Sequence, residues 1–400
     1  MGRNKVNRRD FLKISATGTA GAIFTVPVWK GKTFSRKKEV VIIKRKLGKT
    51  GLELPVVSMG VMRSDSPALV KTALEMGIQH FDTAQGYMGG KNEIMLGEVF
   101  KAYPRDSFTV ATKIVPDDVD RNTGVIGPGA TKEAFLAKVD ISLQRLQMDY
   151  VDILYIHGVS GREVALHPAF LEALGILKQQ GKIRFAGVST HRNEPEVVEA
   201  ITENDVYDVV LTAFNFAQGH RDKLQEKIAL AAEKGIGIIA MKTMAGGFLD
   251  KERTRPVNCK AALKWVLQDI NVHTTIPGIT AFDQLIENVE VMENLEMTDE
   301  EKAYLEEGRL QSGLYCDQCG QCIKDCKRHL PVNEIMRAYM YTYGYRQYEE
   351  ALAVLENHRV GTDVCRGCDN CSVTCPKGFN IAERIADVSR ISAVPKDFLL

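Results

Sequence analysis

Eight of the nine cysteines lie between Cys316 and Cys375, in two runs: Cys316-x₂-Cys319-x₂-Cys322-x₃-Cys326 and Cys365-x₂-Cys368-x₂-Cys371-x₃-Cys375-Pro376. A disulfide framework would be spread through a small secreted domain, so cysteines clustered at two-residue gaps point to metal. Tetrahedral zinc also takes Cys-x₂-Cys pairs, but the x₂-x₂-x₃ spacing is that of [4Fe–4S] clusters. Three thiolates two residues apart, on a loop wrapped around a cube, each reach a different iron. The fourth begins a segment leading away, toward the other cluster. By that logic one cluster takes Cys316, Cys319, Cys322 and Cys375, and the other takes Cys365, Cys368, Cys371 and Cys326. Lys327 stands where a proline would follow the first run.

Two helices are expected between the runs, at Pro331–Arg346 and Gln347–His358, so the region resembles a helical ferredoxin with two clusters. Tyr339, Tyr341, Tyr343, Tyr345 and Tyr348 crowd this spacer. Packing against the clusters or the rest of the chain is the expected role of these rings, with a docking surface or an electron path as the alternative.

Upstream, short β-like runs alternate with helix-length amphipathic segments. The strands are expected at Val56–Gly60, Gln79–Asp82, Phe108–Lys113, Tyr150–His157, Phe185–Ser189, Val209–Leu211, Gly237–Met241 and Thr274–Pro277. Helices are expected between them, for example at Thr131–Leu146, His167–Gln180, Glu194–Glu203, Arg221–Lys234 and Pro256–Gln268. Repeats of this kind give right-handed βαβ units and a parallel sheet. Eight units make an α/β fold, a (β/α)₈ TIM barrel with its site at the C-terminal strand ends. A doubly wound sheet would need a glycine fingerprint after its first strand, and none is present. Gly48-Lys49-Thr50 reads as a hairpin turn. The expected division is a barrel over 40–312, a small α-helical ferredoxin-like domain over 313–400, and a signal or disordered terminus over 1–35.

Several strand-end segments resemble the aldo-keto reductase family: Leu47-Gly48-Lys49-Thr50-Gly51-Leu52, His80-Phe81-Asp82-Thr83-Ala84 with Tyr87, Ala111-Thr112-Lys113, Asp152–His157, Gly181–Ser189, and Ile276-Pro277-Gly278 with Glu287-Asn288. The resemblance implies a catalytic tetrad at Asp82, Tyr87, Lys113 and His157, acting on a small carbonyl or alcohol. A phenol is a poor proton donor at neutral pH, and a lysine ammonium beside it would lower its pKa. The resemblance also implies NAD(H) or NADP(H), with Ser189, Asn215, Lys242, Gly278, Glu287 and Asn288 as cofactor contacts. The match departs at Gly278 and Gln284, where paired cations often grip a 2′-phosphate. It departs again at Leu211, in place of a carboxamide-binding Gln, and at Met241, in place of an aromatic platform.

A formal charge of +1 gives no support to bulk attraction for nucleic acid. At the start of the chain, Asn7-Arg8-Arg9-Asp10-Phe11-Leu12-Lys13 resembles a twin-arginine export signal, with Asn where Ser is usual. The apolar run from Ile14 to Trp29 is short for a membrane span, which needs about 20 residues. A periplasmic or membrane-associated protein exported in the folded state is expected, and a cytoplasmic one if the terminus is merely a basic tail. The leading expectation is thus an iron–sulfur oxidoreductase that meets a redox partner protein. The alternative is a catalytically silent barrel serving as an electron-transfer subunit.

Overall fold

Alternation along the strands decides where each side chain of this protein goes. The computed structural model describes residues 41–395 except 122, 311, 312 and 369, together with 398. The twin-arginine segment and the junction expected near 312 lie outside the described residues.

The described chain opens with a hairpin, β1 (Lys44–Lys46) and β2 (Glu53–Pro55), paired antiparallel around a turn at Gly48–Thr50. Gly48 has φ +49, and a Cβ there would lie 2.3 Å from the carbonyl oxygen of Gly235. Only glycine fits so close an approach with that backbone. The hairpin seats Leu47, Leu52 and Leu54 in one end of the barrel, where they pack with Ala111, Ile153, Tyr155, Val209, Leu211 and Ile239.

Eight parallel strands follow: β3 (Met59–Gly60), β4 (His80–Asp82), β5 (Thr109–Ile114), β6 (Val151–His157), β7 (Ile183–Thr190), β8 (Val209–Ala213), β9 (Gly237–Met241) and β10 (Thr274–Thr275). Each pairs with the next. Parallel bridges from Val57 to Thr275 and from Gly60 to Gly278 close the ring, and the Ser58 N–H donates to the Thr275 carbonyl at 2.8 Å. The expected (β/α)₈ architecture is therefore the one found. Its first and last strands are shorter than expected, in part because Pro277 has no N–H to offer the ladder.

Side chains on a strand alternate between faces. In β6, Ile153 and Tyr155 fill the barrel while Leu154 and Ile156 meet the surrounding helices. The same parity turns Ala111 inward in β5, Leu211 in β8 and Ile239 in β9. Two residues further on, Lys113, Ala213 and Met241 keep that parity. Gly187 makes room for its neighbour, because a Cβ there would lie 2.8 Å from the Tyr155 ring.

The helices lie where the periodicity places them, with bounds shifted by at most a few residues. Lys132–Leu146 is capped by the Thr131 side chain, which accepts from the Ala134 N–H. Pro168–Gln179, Glu194–Ile201, Arg221–Glu233 and Cys259–Leu267 follow in turn.

The C-terminal region is helical: Val332–Tyr339, a π-helical turn Met340–Tyr345, Tyr348–Asn357 and Ile381–Ser389. Val332, Ile335, Met336, Leu352, Leu355, Ile381, Ile385 and Val388 form its core. A further apolar cluster joins it to the barrel, with Phe216, Ala245, Ala261 and Leu305 meeting Tyr315 and Met340. Val41–Leu400 is accordingly one compact unit. Among the described residues no helix is long and apolar enough to cross a membrane.

The helical region sits over the C-terminal ends of the strands. The Gly219 N–H, after β8, donates to the Asp317 carboxylate at 3.0 Å. Lys377 donates to the Ala217 carbonyl at 2.7 Å. Lys251, after β9, pairs with Asp387 at 2.8 Å. Arg192, after β7, is ion-paired to the fully buried Glu334. The barrel mouth is thus roofed by the region that carries the cysteines.

Candidate active site and cluster pockets

Asp82, Lys113 and His157 reach the barrel mouth at the ends of β4, β5 and β6. Tyr87 comes from the turn after β4, whose tight path uses positive φ at Met88, Gly89 and Gly90. The structure brings all four together. The Lys113 ammonium donates to the Asp82 carboxylate and to the Thr83 carbonyl at 2.7 Å. It also lies close to Tyr87, with Nζ 5.1 Å from the ring centre, and the two groups interact electrostatically. The His157 ring stands edge-on to Tyr87, with centres 6.0 Å apart and planes at 85°. Tyr87 and His157 are enclosed by protein yet keep accessible surface, so they line a recess.

Burial alone would strip the charge from Lys113, but Asp82 and then Tyr87 hold its pKa above the ordinary value. For Tyr87 the balance differs from the simple expectation. Burial pushes the phenol up, and the Lys113 charge offsets that only in part. His157 is held well below its ordinary pKa by burial and then by Arg121, Lys113 and Lys242. It is a neutral imidazole whose Nδ1 has no partner.

The expected cofactor residues are less uniform. Ser189 is buried on β7 and accepts from the Gly158 N–H at 3.0 Å. Asn215 is engaged within the protein: its amide donates to the Lys242 carbonyl at 3.2 Å, its oxygen accepts from the Ala217 N–H at 3.0 Å, and it also hydrogen-bonds Tyr315. Gly278 is exposed, with open space where a side chain would lie. Glu287 is exposed on the helix Phe282–Glu293. Asn288 on the same helix is buried, and its Oδ1 has no partner. Gln284 accepts from the Thr280 N–H at 2.8 Å and caps its own loop. Leu211 is sealed in the barrel interior. The orphaned Asn288 oxygen is free to accept a hydrogen bond from a bound cofactor, while Leu211 offers none to a carboxamide.

Cys316, Cys319, Cys322 and Cys375 line one pocket, floored by Met336, Phe379 and Ile381. Backbone N–H groups point at its sulfurs, that of Gln318 at Cys316 among them. Cys365 interacts with Cys368, Cys371 and Cys326. Ser372 and Thr374 bond Asp325, at 2.6 and 3.2 Å, which ties the two runs side by side. Two sets of four soft thiols, one set in an apolar pocket with N–H donors, fit the demands of two [4Fe–4S] clusters. The first set adjoins the barrel, since Cys316 lies within electrostatic reach of Arg192. Each set also reaches the surface, the first through the exposed Cys319 and the second through the exposed Cys371. Cys259, the ninth, belongs to the barrel. Burial pushes its thiol up to about 12, so it stays unreactive.

Sequence reasoning missed Arg121, His191, Arg192, Glu334 and Arg337, which crowd the space between mouth and roof. They lie on three separate segments and carry no local pattern. The tyrosines divide between two faces. Tyr339 and Tyr343 pack together, ring centres 4.5 Å apart, on the cluster side. Tyr341 and Tyr345 face the barrel.

Residues 57–261 match the Aldo/keto reductase family, and residues 315–380 match the 4Fe-4S dicluster domain. An L-galactose dehydrogenase of Arabidopsis thaliana is 29% identical over 299 residues, covering 63% of this chain and 88% of the relative. An L-glyceraldehyde 3-phosphate reductase of Escherichia coli (strain K12) is 27% identical over 322 residues, covering 66% and 91%. The holo form of aldo-keto reductase AKR11C1 from Bacillus halodurans has the same fold, with a TM-score of 0.56, 24% identity, and coverage of 67% of this chain and 96% of that one. With the barrel fold and half of the sequence matching, this chain is an oxidoreductase that belongs to the aldo/keto reductase family and carries a 4Fe-4S dicluster domain at its C-terminal end.

Proposed function

We propose that the protein interconverts a small carbonyl compound and its alcohol, with Tyr87 as the group that gives and takes the proton. The observation that carries this reading is the meeting of Asp82, Tyr87, Lys113 and His157 from separate segments, with Lys113 ion-paired to Asp82 and its Nζ 5.1 Å from the Tyr87 ring centre. The names of two relatives, the L-galactose dehydrogenase and the L-glyceraldehyde 3-phosphate reductase, support this substrate class.

The chain's own residues do the following. In reduction, Tyr87 donates its hydroxyl proton to the carbonyl oxygen as the carbon gains a hydride. Lys113 then stabilises the phenolate left behind, until water returns the proton. Asp82 keeps Lys113 charged and in place. Neutral His157 donates a hydrogen bond that orients the carbonyl. A nicotinamide dinucleotide, held by Ser189, Lys242, Glu287 and Asn288 beside Gly278, supplies the hydride when bound; Asn215 serves that site by fixing the Lys242 backbone.

We further propose that the two clusters carry single electrons between a partner protein and the barrel. Cys365, Cys368, Cys371 and Cys326 would hold the outer cluster, and Cys316, Cys319, Cys322 and Cys375 the inner one. The barrel-side position of Cys316, within electrostatic reach of Arg192, supports that order. Export by the twin-arginine route, to the periplasm or its membrane face, suits a protein whose clusters are inserted before transport.

A second reading, a silent barrel in an electron-transfer complex, is favoured by Leu211 in the core and Gln284 capping its own loop. A cofactor inventory of natively purified protein, followed by carbonyl-dependent NADH oxidation in wild type and Tyr87→Phe, separates the two. Bound dinucleotide and turnover that collapses in the variant support the enzyme. Turnover that persists in Tyr87→Phe rules out its proposed role. Mislocalisation of a fused reporter by Arg8→Lys with Arg9→Lys supports export, and correct sorting of that variant refutes it.

A further inference from the structure

The space between barrel mouth and roof is strongly cationic. Arg121 enters it from the loop after β5, His191 and Arg192 from the end of β7, Lys242 from the end of β9, and Arg337 from the roof helix Val332–Tyr339. These groups lie within electrostatic reach of one another: His191 faces Lys242, Arg337, Arg121 and Arg192, and Lys242 faces Arg337, Glu194, Arg121 and Arg192. The carboxylates nearby are already engaged. Glu334 is ion-paired to Arg192 and Arg337, Glu194 to His220 at 3.0 Å, and Asp82 to Lys113. Glu350, at the exposed edge, reaches Arg121 and Arg337 only weakly.

Among the described residues, neither Arg121 nor Lys242 has a carboxylate within ion-pairing distance. The Nε groups of Arg121 and Arg337, and the Nδ1 atoms of His157 and His191, are buried without any hydrogen-bond partner. Buried donors without partners cost free energy unless something fills the space between them. Gly158 is shaped to admit this cluster. At φ +74, a Cβ there would lie 2.2 Å from the Arg121 guanidinium. Coulombic coupling runs from Arg121 to both Tyr87 and Tyr341, so the cluster adjoins the tetrad.

We propose that this space binds the anionic group of the substrate, a carboxylate or phosphate on a small carbonyl compound, gripped by Arg121 and by Arg337 of the cluster-bearing roof, with Lys242 and His191 beside them. The proposal rests on the site reading above for the direction in which the carbonyl points, toward Tyr87 and His157. Arg guanidinium forks match the geometry of both anions. The roof is then part of the substrate site as well as the carrier of the clusters.

The test is calorimetric titration of natively purified, cluster-replete protein with oxalate and with inorganic phosphate. Wild type should bind at least one of them. Arg121→Gln should weaken that binding by about tenfold or more, the scale of one lost charge-assisted bond. Arg121 has no ion pair to lose, so this variant isolates the anion contact. Arg337→Gln should weaken it similarly, and Arg337→Lys should restore part of the loss. No binding to wild type, or equal binding to wild type and both glutamine variants, overturns the proposal. Competition by NADH for the same heat would assign the site to the cofactor's pyrophosphate and overturn it as well. Tyr87→Phe should leave the titration unchanged. Anion binding without carbonyl turnover would leave this site standing and remove the catalytic reading instead.

Discussion

Gly344 in the roof lies against Gly246 in the loop after β9, so closely that a Cβ on Gly344 would sit 2.6 Å from the Gly246 carbonyl oxygen. The contact joins the π-helical turn to the barrel mouth. Backbone opposes backbone there, so no flexible side chain can yield. Gly344→Ala should destabilise the protein by about 1–3 kcal/mol, as overpacking does. A thermal melt followed by both cluster absorbance and far-ultraviolet dichroism checks this, and an unchanged melt would show that the roof rides freely on the barrel.

Tyr87 should govern the chemical step. Removing its hydroxyl in Tyr87→Phe is expected to lower kcat for reduction by about 10²–10⁴, the usual worth of a positioned acid. Binding of the substrate's anionic group, measured apart from turnover, should hardly change.

The pH profile of kcat follows from two shifts. The phenol of Tyr87 lies above its ordinary value, so its proton-donating form survives to higher pH than in water. His157 lies well below its ordinary value through burial and the nearby cations, so it is neutral near pH 7. Rate constants for reduction should therefore show no break between about pH 6.5 and 9 from either group. A break near 6.5 that vanishes in His157→Gln would contradict this.

Lys242 titrates inside the working range. Burial, and then the charge of Arg337, bring its pKa down to about 7; Arg121 and Arg192 act in the same sense, and Glu194 opposes them. Below that pH it is an ammonium and attracts an anion, and above it the attraction fades. KM for an anionic carbonyl substrate should rise as pH climbs through about 7, by several-fold, with kcat unaffected. In Lys242→Gln that rise should flatten.

The two runs of cysteines should fail crosswise. Cys375→Ser is expected to lose the cluster of the Cys316 run and to spare the one beside Cys365. Cys326→Ser should do the reverse. Iron content, with electron paramagnetic resonance of each reduced variant, reads which cluster is gone. Removal of all iron should melt the region after Tyr315 before the barrel, because ligand binding energy of this kind is also folding energy.

Much of the frame was legible because β-strands alternate. Asp82 and Lys113 close apolar stretches whose inward residues, such as Ala111, are small and buried, and a polar residue on that parity at a strand end can face only the mouth. The spacing within the cysteine runs was equally local. What could not be read was anything made by two distant segments meeting. Arg121 and Arg337 are separated by more than two hundred residues, and neither sits in a patterned neighbourhood. The ion pair of Arg192 with Glu334 likewise exists only once the roof is in place. The direction of the Tyr87 shift was misjudged for a related reason. A neighbouring lysine can be guessed from the sequence, but the degree of enclosure that outweighs it depends on the packed roof.

The pocket that gathers Cys316, Cys319 and Cys322 also needs Cys375, which follows the roof helices Val332–Tyr339 and Tyr348–Asn357 in the chain. During synthesis the barrel can therefore be complete while its lid still lacks a fastening. Until the segment bearing Cys375 leaves the ribosome, the inner cluster pocket lacks its fourth thiol. Closure and iron loading become a single late event, and a truncated chain would betray itself by an unsealed mouth.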